Sequence, residues 1–263
     1  MANDSRGILT RPAPPPDLTV SYGDHPDQVI DIRLPGPGWA ARPLVIFVHG
    51  GFWRATWDRA HVGPLAADLA ARGWPVATIE YRRTGEEGGG WPGTFDDAAA
   101  GIAAACDLGS AVGLPETTGT ILAGHSAGGH LALWYGATHD ARGQSGPGAL
   151  LGVLALAPIA DLAEAYRLNL DDGAVAALLG GGPEQWPDRY AAADPMGLDP
   201  PTAPVTLLHG TVDTRVPIAQ SRAYAAKPDG HVQLVELPGV EHFGLIDPDS
   251  SAWPEVLDAF QER

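Results

Sequence analysis

Short runs rich in apolar residues recur along this chain at 44–48, 76–81, 119–123, 150–157, 205–209 and 232–237. Helix-compatible stretches separate them at about 58–72, 94–108, 130–135, from 218 onward and 252–262. The run Leu44-Val45-Ile46-Phe47-Val48 has no polar alternation, which suits a strand buried on both faces. Strands alternating with helices of this length imply parallel βαβ units and an α/β fold with a mostly parallel, doubly wound sheet. Residues 18–22 and 28–34 instead alternate, with turn chemistry in Gly23-Asp24-His25-Pro26-Asp27, and read as an antiparallel pair at the start of the sheet. The region 158–203 breaks the rhythm with short helical pieces, glycines at 180–182 and Trp186-Pro187. It reads as a small cap-like insertion. Residues 1–16, ending in Pro14-Pro15-Pro16, read as a flexible lead-in. Residues 17–263 read as a single domain, a length ample for one large core.

The segment 121–130 carries the chemistry. Gly124-His125-Ser126-Ala127-Gly128 is a G-x-S-x-G pattern, preceded by the run Thr120-Ile121-Leu122-Ala123 and followed by His130-Leu131-Ala132-Leu133-Trp134-Tyr135. Strand, turn and helix in that order are the setting in which the pattern forms a nucleophile elbow, with the serine hydroxyl held out at the end of the sheet. No other serine has glycine at both offsets. A serine hydroxyl is a weak nucleophile unless a base and an anion hole accompany it.

In an elbow architecture the carboxylate and then the histidine follow the serine in the chain. His242 lies just after the run Val232–Leu237, where a parallel strand delivers its trailing loop to the elbow's edge of the sheet. His209 precedes the best carboxylate, and His231 enters its strand at the wrong end. Asp213 follows the preceding run, 205–209. Asp194 and Asp199 come before that run, and Asp247 lies beyond the histidine. A helix-capping role for Asp213 is the alternative to a catalytic one. The third part is His49-Gly50-Gly51-Phe52-Trp53, directly after 44–48. Adjacent glycines let backbone approach a substrate and turn N–H groups inward, so the amides of Gly51, Phe52 and Ala127 are candidate oxyanion donors. A plain turn is the alternative there too, with His49 bracing the loop. Trp53, Phe243 and His125 are candidate pocket walls, and Trp57, Trp91 and Trp186 are further aromatic candidates.

These residues resemble the α/β-hydrolase superfamily over roughly residues 18–262. H-G-G-x-W at 49–53, G-H-S-A-G-G-H at 124–130 and the late Glu241-His242-Phe243 resemble the kynurenine formamidase (arylformamidase) group and its esterase relatives. The resemblance implies an α/β-hydrolase fold and an enzyme that cleaves a small carboxylic ester or linear amide, an N-formyl arylamine included, through an acyl-serine. The segment Asp213…Val216-Pro217…Ser221 is shared with prolyl-oligopeptidase-type exopeptidases, which keeps that class open. A non-catalytic receptor on the same scaffold is a third class. The net charge of −16 argues against nucleic acid and anionic membranes as partners, leaving a small-molecule substrate; a homodimer is compatible with this reading. Cys106 is the only cysteine, so no internal disulfide or cysteine-based zinc cluster forms. No metal-ligand spacing or dinucleotide glycine pattern is present, and neither metal nor cofactor is expected. The opening residues lack the apolar core of a signal peptide, and a cytoplasmic location is expected.

Overall fold

A computed structural model describes residues 5–36, 42–111, 119–139, 149–228 and 231–262. Eight strands form one sheet: β1 (Leu18–Ser21), β2 (Val29–Arg33), β3 (Leu44–Val48), β4 (Val76–Ile79), β5 (Thr120–His125), β6 (Leu150–Leu156), β7 (Val205–Gly210) and β8 (Val232–Leu237). Their order is β1-β2-β4-β3-β5-β6-β7-β8. β1 and β2 pair antiparallel, β2 pairs antiparallel with β4, and β3 to β8 run parallel. The parallel sheet and the antiparallel opening pair are those the apolar patterning predicts.

Period-two alternation along the buried strands divides the interior into two layers. Val45, Phe47, Val76, Ile121 and Ala123 face one core with Leu65 and Leu69 of helix α1 (Gly63–Ala71) and Val256 and Phe260 of the C-terminal helix. Leu44, Ile46, Val48 and Leu122 face the other, with Ile102 and Leu131 of helices α2 (Gly93–Ala111) and α3 (Ala127–Thr138). The helix expected over 58–72 is split. A 3-10 turn at Arg59–Val62 precedes α1, which starts with proline in its first turn, a position where the missing N–H costs nothing.

The insertion 158–203 holds three short helices, α4 (Leu162–Arg167), α5 (Ala174–Leu179) and α6 (Pro187–Ala193). Leu162, Val175 and Leu178 bury their side chains in the α2/α3 layer. Helices α7 (Ala219–Ala225) and α8 (Trp253–Gln261) complete the chain. Among the described residues no helix is long and apolar enough to cross a membrane.

The flexible lead-in expected for 1–16 is corrected over residues 5–16. A 3-10 turn spans Ser5–Thr10, and Ile8 is wholly buried in the α1/α8 layer. Arg11 forms ion pairs with Asp247 and Asp249, and Arg33 donates to the carbonyls of Pro14 and Pro15. The proline run is held by an arginine that its own composition gives no sign of.

Candidate active site

The sheet order reverses at β3: the chain passes outward to β4, then returns across β3 to β5. Such a switch point leaves a crevice at the carboxyl ends of the two central strands. The loop after β3 and the turn after β5 both open there, with Val48 paired to Gly124.

The turn after β5 is an elbow. Ser126 has φ 57° and ψ −118°, a left-handed conformation that costs a non-glycine residue of order 1–3 kcal/mol. Its N–H donates to the Leu156 carbonyl at 2.8 Å, and its own carbonyl accepts from His130 at 3.0 Å. The flanking glycines are steric requirements. A Cβ at Gly124 would lie 2.2 Å from the Gly128 carbonyl oxygen, and one at Gly128 would lie 2.0 Å from that of Val48.

His242 begins a 3-10 turn, His242–Leu245, after β8. Its Nδ1–H donates to Asp213 Oδ2 at 2.6 Å, and the Asp213 side chain is fully buried. The other carboxylate oxygen of Asp213 accepts from the N–H groups of Arg215 and Val216 at 2.8 and 2.9 Å. His209 Nε2 lies 3.3 Å from Asp213 Oδ2, while its Nδ1 is bonded to Ser221 Oγ at 2.7 Å. Burial alone raises a carboxyl's pKa. Here the hydrogen bonds from His209 and His242, the charge of His242 and the Val216 amide overcome it and hold Asp213 well below the usual carboxylate range. Asp213 therefore stays ionised and fixes one imidazole nitrogen as the donor. It accepts from two residues of its own loop, as a turn residue does, but its second oxygen is committed to His242.

Ser126 and His242 line one cleft of about 120 Å³ with Gly51, Phe52, Trp57, His61, His125, Arg215 and Phe243. Arg6 and Leu9, from the N-terminal turn, complete the wall. Among the described residues the hydrogen bonds on His242 hold the ring from the Asp213 side and none joins it to Ser126; a catalytic hydrogen bond of this kind often tightens only when substrate binds. His125 lines the cleft as expected, yet its ring is committed elsewhere: Nε2–H donates to the His242 carbonyl at 3.1 Å. Burial first, then the charge of His242, keep the His125 imidazole well below its ordinary pKa and so neutral.

The loop after β3 is bent by three consecutive positive φ values, 109° at Gly51, 52° at Phe52 and 56° at Trp53. Among the described residues no backbone carbonyl takes the N–H of Gly51, Phe52 or Ala127. The loop is anchored by His49, whose Nδ1 contacts the Gly50 carbonyl at 2.8 Å and whose Nε2 contacts Glu80 Oε1 at 2.7 Å, both side chains fully buried.

Trp53 does not line the cleft and is corrected as a pocket wall. It is fully buried and set edge-on to His130 at 5.1 Å, because the third positive φ of the loop turns its side chain into the α2/α3 layer. Phe52, Trp57 and Phe243 do line it; Trp91 packs on Phe95, and Trp186 stacks under Arg189. Sequence reading passed over His61, Arg215 and Glu80. Arg215 follows Asp213 by two residues, a usable signal, and bridges to Asp171 of the insertion at 3.2 Å. His61 and Glu80 sit in no motif. Among the described residues no group of three or more histidine, cysteine, aspartate or glutamate side chains is placed to hold a metal ion.

Known proteins are similar to this chain. Esterase LipC of Mycobacterium tuberculosis is 29% identical over 246 residues, covering 87% of this chain and 60% of the relative. A kynurenine formamidase of Danio rerio is 29% identical over 115 residues, 44% of this chain and 36% of the relative. The chain thus covers less than two thirds of either relative's length. A solved structure described as a truncated carbohydrate esterase from gut microbiota superposes with a TM-score of 0.78 at 22% identity, over 95% of this chain and 98% of that one. That likeness shows the fold, the α/β-hydrolase fold that the resemblance of the motifs implies. Residues 30–227, most of the sheet together with the elbow and Asp213, match the family model described as BD-FAE, and the chain belongs to that family.

Proposed function

We propose that the protein is a serine hydrolase of small carboxylic esters. The observation that carries this is the Asp213–His242 pair, fixed at 2.6 Å, opening on the same cleft as a serine held at a strained elbow. The kinship with esterases supports the bond type, and the small cleft supports a short acyl group.

In this reading His242 Nε2 takes the proton from Ser126 Oγ as the oxygen attacks the ester carbonyl. The tetrahedral oxyanion accepts hydrogen bonds from the N–H groups of Gly51, Phe52 and Ala127, each worth about 3 kcal/mol in the transition state. The carbon–alkoxide bond breaks, Nε2–H protonates the leaving oxygen, and an acyl-serine remains. Water, deprotonated by the same nitrogen, attacks the acyl-serine, and the serine recovers its proton. Asp213 stabilises the imidazolium in both halves without itself taking the proton. His125 braces the His242 backbone. An N-formyl arylamine passes through the same steps with an amine leaving group, and the likeness to the Danio rerio formamidase makes it the second substrate to assay.

The test is Ser126→Ala against an activated aryl ester, with N-formylkynurenine and an aminoacyl arylamide in parallel. We expect kcat/KM to fall by at least about 10³-fold and covalent labelling by a fluorophosphonate to vanish. A loss of only a few-fold removes Ser126 from the mechanism. Wild-type turnover of the arylamide but not the esters assigns the site to exopeptidases.

A further inference from the structure

The wall of the cleft contains a histidine that the mechanism leaves unused. His61 lies on the 3-10 turn Arg59–Val62, capped by the Asp58 carboxylate through the Ala60 N–H. Its Nδ1 faces the Asp58 carbonyl at 2.6 Å. A carbonyl only accepts, so the ring proton resides on Nδ1 and Nε2 carries a bare lone pair. Burial first, then the charge of His49, lower the His61 pKa to about 4, so the ring is neutral near pH 7. Its edge-to-face contacts with His49 and Trp57 fix the ring plane. Among the described residues nothing donates to Nε2. Unlike the Nδ1 atoms of His125 and His130, this nitrogen is not sealed from solvent. The residue is only 5% exposed and it lines the same cleft as Ser126.

An acceptor locked in one tautomer, among Phe52, Trp57 and Phe243, discriminates by what it lacks in a mismatched substrate. A ligand that gives it no proton leaves it desolvated and unpaired, which penalises that ligand. We propose that His61 is a specificity residue of this cleft: its Nε2 accepts a hydrogen bond from an O–H or N–H that the substrate carries close to the scissile ester. The preferred substrates are then esters bearing a donor near the bond, rather than plain alkyl esters of the same shape. This rests on the esterase reading above.

The test uses two pairs of near-isosteric esters on the whole chain. 2-Hydroxyethyl propionate against propyl propionate places the donor on the alcohol side. Ethyl glycolate against ethyl propionate places it on the acyl side. For one pair the wild type should favour the hydroxylated ester in kcat/KM by three- to tenfold beyond the pair's ratio in hydroxide-catalysed hydrolysis, the value of one neutral hydrogen bond. In His61→Phe that preference, measured against the same hydroxide ratio, should fall to about one, whatever the absolute rates. His61→Asn keeps a donor for the Asp58 carbonyl but is too short to present the acceptor, and its ratio should fall likewise even if the phenylalanine variant misfolds. The pair that responds identifies the side on which the donor sits. Alkyl-ester turnover with no wild-type preference in either pair, or with preferences that survive in a folded variant, overturns the assignment of His61 and leaves the esterase reading standing. No turnover of any of the four esters removes both.

Discussion

Glu80 has no contact with the cleft, yet it should govern both stability and rate. Its side chain is fully buried, contacts His49 Nε2 at 2.7 Å, accepts from the Arg59 amide at 2.8 Å, and lies 3.3 Å from Arg83. Burial raises its pKa, but the charge and hydrogen bond of His49, the charge of Arg83 and the Arg59 amide prevail, and the value falls from 4.5 to about 2. At about 1.4 kcal/mol per unit, the ionised form is favoured in the folded state by about 3 kcal/mol. Glu80→Gln keeps the shape and removes the charge, so it should cost about 3 kcal/mol of unfolding free energy at pH 7. The folded pKa is depressed, so this contribution is present in full above pH 4.5 and is lost as the pH falls toward 2. The difference between wild type and variant should therefore shrink to about half by pH 3. Urea unfolding at pH 7, 4 and 3 measures it. His49 carries the Gly50 end of the loop holding the Gly51 and Phe52 amides, so kcat should fall by an order of magnitude or more with KM little changed. A difference under 1 kcal/mol at pH 7, or one that does not narrow in acid, refutes the electrostatic account of the loop.

Another expectation is structural. Ile8→Ala should destabilise by about 2–5 kcal/mol, as truncation of a fully buried aliphatic side chain does; a free lead-in would show no shift in the urea midpoint.

The sheet and the position of its elbow serine were legible because they rest on local patterning. Strand period, glycines at fixed offsets and the chain order serine, aspartate, histidine all survive in one dimension. Asp213 and His242 follow consecutive parallel strands, and that alone brings them to one edge. What escaped depends on partners far away in the chain. Nothing near Ile8 signals that its turn packs against His242–Leu245, and Pro14–Pro15 look mobile until Arg33 is placed beneath them. Trp53 looked like a pocket wall from its neighbours, but a positive φ turned it inward, and single-residue dihedrals leave little trace in composition. His61 and Glu80 became informative only when their partners, Asp58 and His49, fixed a tautomer and a charge.

The N-terminal turn has a consequence for how the protein is made. Arg6 and Leu9 contribute to a cleft that His242 also lines, and Arg11 is tied to Asp247 across 236 positions. A ribosome-bound chain that has already formed its first strands cannot dock this turn, since His242–Leu245 and the Asp247 loop do not yet exist. The wall of the cleft is therefore closed late, once the turn at His242–Leu245 has arrived to receive the turn at Ser5–Thr10. In the proposed mechanism a nascent chain holding the elbow serine but not His242 lacks its base, so turnover begins only after that turn has emerged and packed.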